Sequence, residues 1–503
     1  MLRPLTLALA LAFASPLALA SIDMPPGIAW KAAAQDADIE AAFAQAKGEN
    51  KPLLLYWGAK WCPPCNQLKA TLFNRADFIE QTRAVVPVQI DGDLPGAQQL
   101  GARFKVRGYP TLILFNPAGQ ELTRLPGEAD AQQVVKLLQL GLSGGRPIQA
   151  VLKDAQAGKS LKPAEWQLLS YYSWDTDQDM LVKAAERGAL LQKLSQAKGV
   201  PVDARTRLQL KALAAGAKPL PGDAALLDAV LQDPRRARTH LDVISGAADA
   251  LVKALHPTAS PARAQLLARY EATLRALQAD VKLSRADRIQ CAIARVDLAR
   301  IDVPASETAP KLAPTLLTEV RGLSTLMDRE IRDGYERQAV ITATGHLLGI
   351  AGLWADSDAL LTANLKKSHS PYYLMNQLAG NARKTGRTAE ALSWYEQAFT
   401  ASQGPATRLQ WGSTYFENLI KLAPQDSARI EKLASQLIKE AEQDKGAFYE
   451  RSARSLKKVS DLILPWAKGE NAAVLGRLQT QLNGVCAKVD GKAKAECSAL
   501  LKV

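Results

Sequence analysis

Between Ile28 and Gly141 the spacing of apolar residues switches repeatedly between two periods. Asp38-Ile39-Glu40-Ala41-Ala42-Phe43 opens a helical period that stops near Gly48, and Pro52-Leu53-Leu54-Leu55-Tyr56-Trp57 follows as a short, almost wholly apolar run. Such a run between turn residues is what a strand buried on both faces requires. Helix formers continue from Cys65 through Leu72. Val85-Val86-Pro87-Val88-Gln89-Ile90 is a second buried strand, stopped by Asp91-Gly92-Asp93. Gly108-Tyr109-Pro110 introduces a third, Thr111-Leu112-Ile113-Leu114-Phe115. Asn116-Pro117-Ala118-Gly119 turns that strand into Glu121-Leu122-Thr123-Arg124-Leu125, and a last helix runs through Val134-Val135-Lys136-Leu137-Leu138. Strands alternating with helices and closing in a hairpin predict a small α/β domain over residues 21–142.

Ser143-Gly144-Gly145-Arg146-Pro147 reads as a linker, placed at 143–149, and beyond it no strand run stands out. Helical periods are separated by breaks near Pro163, Gly199-Val200-Pro201, Pro219 to Gly222, His256-Pro257 to Pro261, Val303-Pro304 and Pro405. Ser284 opens one helix as an N-cap with Asp287 in the first turn. We expect a helical domain over 150–335 and helical repeats with a carboxy-terminal hairpin over 336–503. The clearest repeat is Leu378 to Arg387 followed by Ala389 to Phe399, with Gly386 at the turn and Ala391, Tyr395 and Ala398 at packing positions. It resembles a tetratricopeptide unit. A weaker copy, Gly349–His369, is offset by 32 residues when Ala359 is set against Ala391, and Trp411–Pro424 begins a third. An irregular stack of antiparallel helices fits the whole region equally well. Either arrangement is an all-α, solenoid-like region of the kind used to bind other proteins.

Composition changes the picture in two ways. Met1-Leu2-Arg3, the apolar stretch after it and Ala18-Leu19-Ala20 have the layout of a cleavable secretory signal peptide over residues 1–20, too short in its apolar core for the roughly 20 residues of a membrane span. The expected location is therefore the periplasm, with a mature chain that is soluble. The net charge of +13 is uneven: basic and acidic residues balance from Ser21 to Gly145, so the excess sits in the helical remainder. Its basic residues are spread through helical patterns, with Arg235-Arg236-Arg238 the densest group, and export argues against a nucleic-acid partner.

Five cysteines are too few for a disulfide-built scaffold. Cys486 and Cys497 flank a turn at Val489-Asp490-Gly491-Lys492, and we expect a structural disulfide there. Cys291, among apolar residues at helical spacing, reads as a buried, inert thiol. Cys62 and Cys65 sit where a strand gives way to a helix, within Trp61-Cys62-Pro63-Pro64-Cys65. A thiolate at a helix amino terminus is stabilised by unpaired backbone N–H groups and the positive end of the dipole, which suits Cys62 as nucleophile. Cys65, one turn further in, is set to resolve a mixed disulfide. Pro63 and Pro64 are tolerated in a first turn, which has no N–H bond to lose. Half of a zinc site is the competing use of such a pair, but the four histidines (His240, His256, His346, His369) all lie far along the chain; no metal and no cofactor is expected.

Trp-Cys-x-x-Cys, Gln89-Ile90-Asp91, Val106 to Thr111 and Leu114-Phe115 follow one another in the order and spacing of the thioredoxin superfamily, which the segment Leu54–Gly127 resembles. Cys62–Phe78, with Thr71-Leu72-Phe73 and Asp77-Phe78, is most similar to the thioredoxin-like periplasmic domain of thiol:disulfide interchange reductases. The resemblance implies catalytic Cys62 and Cys65, a cis Pro110 whose loop pairs with a substrate strand, and a substrate surface made by Trp61, Pro63, Pro64, Tyr109 and Pro110. It also implies client proteins with thiols or disulfides as partners and a membrane redox protein as electron donor. Two positions depart from the family. Tyr56 replaces the buried Asp six residues before the first Cys, and Pro87 replaces its partner Lys, so proton handling at Cys65 must differ. Solvent, the Tyr56 hydroxyl or no dedicated group remain open, and Tyr56 reads first as strand packing. The expected function is a periplasmic disulfide oxidoreductase, reducing or isomerising in direction. A helical-repeat binding or assembly factor, with the redox-like domain as an interaction module, is the alternative.

Overall fold

In a computed structural model, which describes residues 24–502 other than 128 and 178, the apolar runs become strands of one sheet. The expected leader, residues 1–20, lies outside the described residues. The strands are β1 (Lys31–Ala33), β2 (Leu53–Gly58), β3 (Val86–Asp91), β4 (Thr111–Phe115) and β5 (Glu121–Leu125), in the order β1-β3-β2-β4-β5. β1, β3 and β2 run parallel; β4 is antiparallel to β2, and β5 to β4. The helices are α1 (Asp36–Gly48), α2 (Pro63–Thr71), α3 (Ala76–Thr82), α4 (Ala97–Arg103) and α5 (Ala131–Leu142). This is the thioredoxin fold.

The central strand explains its own sequence. Leu54 and Tyr56 point into a cluster with Leu68, Phe73, Val134 and Leu138, whereas Leu53, Leu55 and Trp57 point into another with Ile39, Ala42, Ala46 and Leu100. A strand covered on both faces leaves no polar positions, hence the unbroken apolar run. β1 carries no such signal. Lys31-Ala32-Ala33 has little strand preference, and only pairing with Val88 to Ile90 recruits it to the edge.

Beyond Leu142 the described residues form helices, with one isolated bridge between Val106 and Asp177. The helix Ile148–Gln156 starts inside the stretch expected as a linker: Ile148, Val151, Leu152 and Ala155 are buried at helical spacing directly after Pro147. Pro163, Pro261 and Pro405 occupy first helical positions, so the sequence breaks mark helix starts. The tetratricopeptide-like pattern is a hairpin of Pro371–Lys384 and Thr388–Ala401, with Gly386 at φ +78° in the turn and Ala391, Tyr395 and Ala398 buried. Ahead of it lie Gly334–Ile350 and Trp354–Asn364; after it come Pro405–Leu422 and Ser427–Glu442. Cys486 and Cys497 are paired across the terminal hairpin, with Cα atoms 5.6 Å apart. Cys291 is buried and unpaired, and burial pushes its thiol up to about 12. No helix among the described residues is long and apolar enough to cross a membrane.

The helical array touches the α/β domain along much of its length, including Arg238 on Asp130, Ser284 and Asp287 on Gln67, and Gln338 on Trp61. At the beginning, the buried Arg124 guanidinium of β5 pairs with Glu121 and donates to the carbonyls of Phe104 (2.6 Å), Lys105 (2.9 Å) and Thr176 (3.3 Å). The Ser173 amide donates back to the Arg124 carbonyl at 3.1 Å. Near the end, the Arg451 amide donates to Gln98 Oε1 of α4 at 3.0 Å, and Asp444 Oδ1 accepts from the Gly96 amide at 3.1 Å. The attachments at the beginning of the array and near its end thus lie at opposite ends of α4.

Candidate redox site

Cys62 is the N-cap of α2, with Pro63 and Pro64 as its first two helical residues. The prolines fix φ where the helix has no hydrogen bond to lose, and the chain enters α2 with Cys62 extended (φ −65°, ψ 116°). Its Sγ accepts from the Cys65 amide at 3.2 Å, and the two cysteines form a disulfide with Cα atoms 5.2 Å apart. The Tyr109–Pro110 bond is cis. Tyr109 stacks on Trp57 (centroids 5.7 Å apart, planes 3° apart) and meets Trp61 edge-on at 6.1 Å. The structure therefore assembles Trp61, Cys62, Cys65, Tyr109 and Pro110 at one end of the sheet. Cys486, Cys497 and Cys291 lie elsewhere.

Tyr56 is fully buried against Trp30 and Phe73, and burial raises its phenol well beyond the ordinary value. Its hydroxyl lies where a side chain at Gly58 would collide with it, which gives that glycine its reason. The charged group under α2 comes from the next strand. Asp91 pairs in register with Gly58 on the face that Tyr56 occupies, and Lys69, one turn beyond Cys65, is buried close to it. Burial, reinforced by the neighbouring Asp93 carboxylate, pushes the Asp91 carboxyl up to about 7. Asp91 Oδ1 accepts from the Asp93 amide at 3.0 Å.

Residues far along the chain complete the site. The Trp61 indole N–H is shared between Asp93 Oδ2 (2.8 Å) and Thr407 Oγ1 (2.7 Å). Its ring stacks on Tyr373 (5.7 Å, 21°) and meets Trp411 edge-on at 5.8 Å. Arg451 pairs with Asp93 and places its guanidinium 5.3 Å from the Trp61 ring and 5.0 Å from the Tyr109 ring. Gln338 donates to the Trp61 carbonyl at 3.3 Å, and His369 Nε2 lies 3.2 Å from Asn66 Oδ1. Under this cover Cys62 is 2% exposed and Cys65 0%. Sequence reasoning missed these helical contributors because nothing local marks them. The one available signal was compositional: in a chain with 6% aromatic residues, Tyr372-Tyr373 and Trp411 stand out.

Comparison with known proteins agrees with the geometry. A thioredoxin-like domain family model matches residues 39–141. Thiol:disulfide interchange protein DsbD 2 of Pseudomonas aeruginosa is 32% identical over 107 residues, which cover 20% of this chain and 18% of that protein. DsbD of Klebsiella pneumoniae is 29% identical over 115 residues, 22% of this chain and 19% of the relative. The chain therefore spans less than a fifth of the length of these two relatives. Among solved structures, a thioredoxin from Thermus thermophilus is 25% identical and aligns over 22% of this chain and 85% of its own, with a TM-score of 0.20. The amino-terminal region is a thioredoxin-like domain similar to those of DsbD proteins, and the helical array follows it.

Proposed function

We propose that this thioredoxin-like domain, carried with its helical array, is a periplasmic thiol–disulfide oxidoreductase acting on client proteins. In the reducing direction, the Cys62 thiolate attacks a client disulfide, forming a mixed disulfide and releasing one client thiolate. Cys65 loses its proton and attacks Cys62 Sγ, leaving the Cys62–Cys65 disulfide and a second client thiolate; both thiolates end as thiols. A membrane redox protein returns the two electrons. Trp61, Pro63, Pro64, Tyr109 and Pro110 form the surface that holds the client backbone. Over the chain this reading assigns 1–20 to a leader, 21–142 to chemistry, and the helices on either side of residue 335 to client selection. The observation that carries it is a Cys62–Cys65 disulfide capping α2 beside a cis Pro110 loop.

The test is the equilibrium of Cys62–Cys65 against glutathione, with insulin reduction measured on the same sample. A strongly reducing potential, with turnover lost in Cys62→Ser, is the expected outcome. An oxidising potential without turnover sinks the reductase reading. A second reading, an assembly factor in which the domain is an interaction module, is favoured by the burial of both sulfurs under the helices. It requires that Cys62→Ser/Cys65→Ser retain biological function.

A further inference from the structure

An oxidoreductase must bring Cys62 Sγ to a client sulfur, yet here both cysteines are closed off by the chain itself. The cover is built against the features an incoming strand would use. The Arg451 guanidinium lies against both the Trp61 and Tyr109 rings and is pinned on both sides, by its side chain to Asp93 and by its backbone to Gln98. Gln98 in turn donates to the Tyr109 hydroxyl at 3.0 Å and the Gly92 carbonyl at 2.7 Å, tying this wedge to the cis-proline loop. Thr407, Tyr373 and Trp411 enclose the Trp61 indole.

We propose that the helical array is a reversible lid on the redox disulfide, latched by Arg451 and Thr407, and that clients exchange with Cys62 only when the latch is displaced. The proposal rests on the oxidoreductase reading above and adds its regulation. Two features let a lid open without unfolding the molecule. At Arg451 and Thr407 the latch is polar: hydrogen bonds, one ion pair and cation–π contacts, each of which exchanges for bonds to water with a small net change. The apolar contacts of Tyr373 and Trp411 with Trp61 are what draws the lid closed again. The first attachment, through Arg124, Ser173 and Thr176, the Arg238–Asp130 pair and the Gln67 bonds to Ser284 and Asp287 share no residue with the latch, so the array stays tethered there while the later helices, from Gln338 onward, lift. A client that supplies an aromatic or acidic group to Arg451 competes for the latch directly.

The test uses the full mature chain, reduced and then treated with iodoacetamide, with labelling of Cys62 followed by peptide mass spectrometry. Wild type should label at least about a hundredfold more slowly in native buffer than in guanidinium chloride. Arg451→Ala and Thr407→Val should each label about tenfold faster than wild type. Thr407→Val removes one hydrogen bond from a near-isosteric side chain, so it carries the test if Arg451→Ala does not fold. The lid is overturned if native wild type labels within about threefold of the denatured rate, or if folded variants label at the wild-type rate. Insulin reduction separates the two claims. Fast labelling of the variants with no turnover in any of them keeps the lid and ends the oxidoreductase reading; turnover with freely labelled wild type does the reverse.

Discussion

The indole N–H of Trp61 donates a 2.7 Å hydrogen bond to the hydroxyl of Thr407, joining the residue before Cys62 to a side chain 346 positions along the chain. Trp61 thus belongs as much to the helical array as to the α/β domain. Gly404, which precedes the helix bearing Thr407, shows how close the approach is. It adopts φ +83°, and a Cβ built on it would lie 2.6 Å from Asp93 Cβ. Gly404→Val should strain the backbone and push Asp93 away from Trp61 and Arg451, destabilising the protein by about 1–3 kcal/mol. Tryptophan emission should shift to the red as the Trp61 cage loosens. An unchanged spectrum and melting curve would mean that the contact is dispensable.

Asp91 gives a pH dependence of defined sign. Its folded-state value of about 7 stands above the roughly 3.9 of an unfolded aspartate. Between these values the folded protein holds a proton that the unfolded chain releases, so stability falls as pH rises from about 4 to about 7. The groups facing it are Tyr56 from β2, Lys69 from α2, Asp93 and Arg451. Asp91→Asn should flatten this slope and raise Tm at pH 8 with little effect at pH 4. Parallel melting curves for the two proteins across that range would show that Asp91 is not the group responsible.

Arg124 should be among the most sensitive buried positions. Its pair with Glu121 is 1% and 10% exposed, and its remaining donors satisfy carbonyls on both sides of the first attachment. Arg124→Met strands the Glu121 carboxylate and should cost about 3–5 kcal/mol, read from urea denaturation. A loss below 1 kcal/mol would mean that water replaces the guanidinium.

The terminal disulfide should behave independently of the redox pair. Replacing Cys486 and Cys497 by Ser releases a short loop, worth roughly 3 kcal/mol in chain entropy. The loss should appear as faster hydrogen exchange in Ala472–Cys486 and Gly491–Ala499. Cys62 labelling should not change, and a change would tie the terminal hairpin to the lid.

The parts of this molecule that were legible in its sequence are those fixed by local chemistry. β2, β3 and β4 announce themselves because burial on two faces leaves few polar positions, only Gln89, Asp91 and Thr111 among the three. Cys62, Cys65 and Pro110 lie at spacings set by one strand–helix step and one loop. Asp93 and Arg451 were silent for the opposite reason: their pairing depends on a long helical path returning to its origin, which no window of sequence encodes. In the sequence Asp91 is only the end of a strand. Its meaning required knowing that Tyr56 and Lys69 face the same interior.

The return of the array to the two ends of α4 has a consequence for its evolution. A helical solenoid with a free end can gain or lose a hairpin and remain a working surface. Here the first attachment, at Phe104 and Lys105, and the last, at Gln98, are separated by the length of one seven-residue helix, roughly 10 Å. Neighbouring helices are themselves about 8–10 Å apart. One added or deleted hairpin would carry Arg451 clear of Asp93. The number of helices is therefore held fixed, as the number of links is fixed in a bracelet that must still reach its clasp.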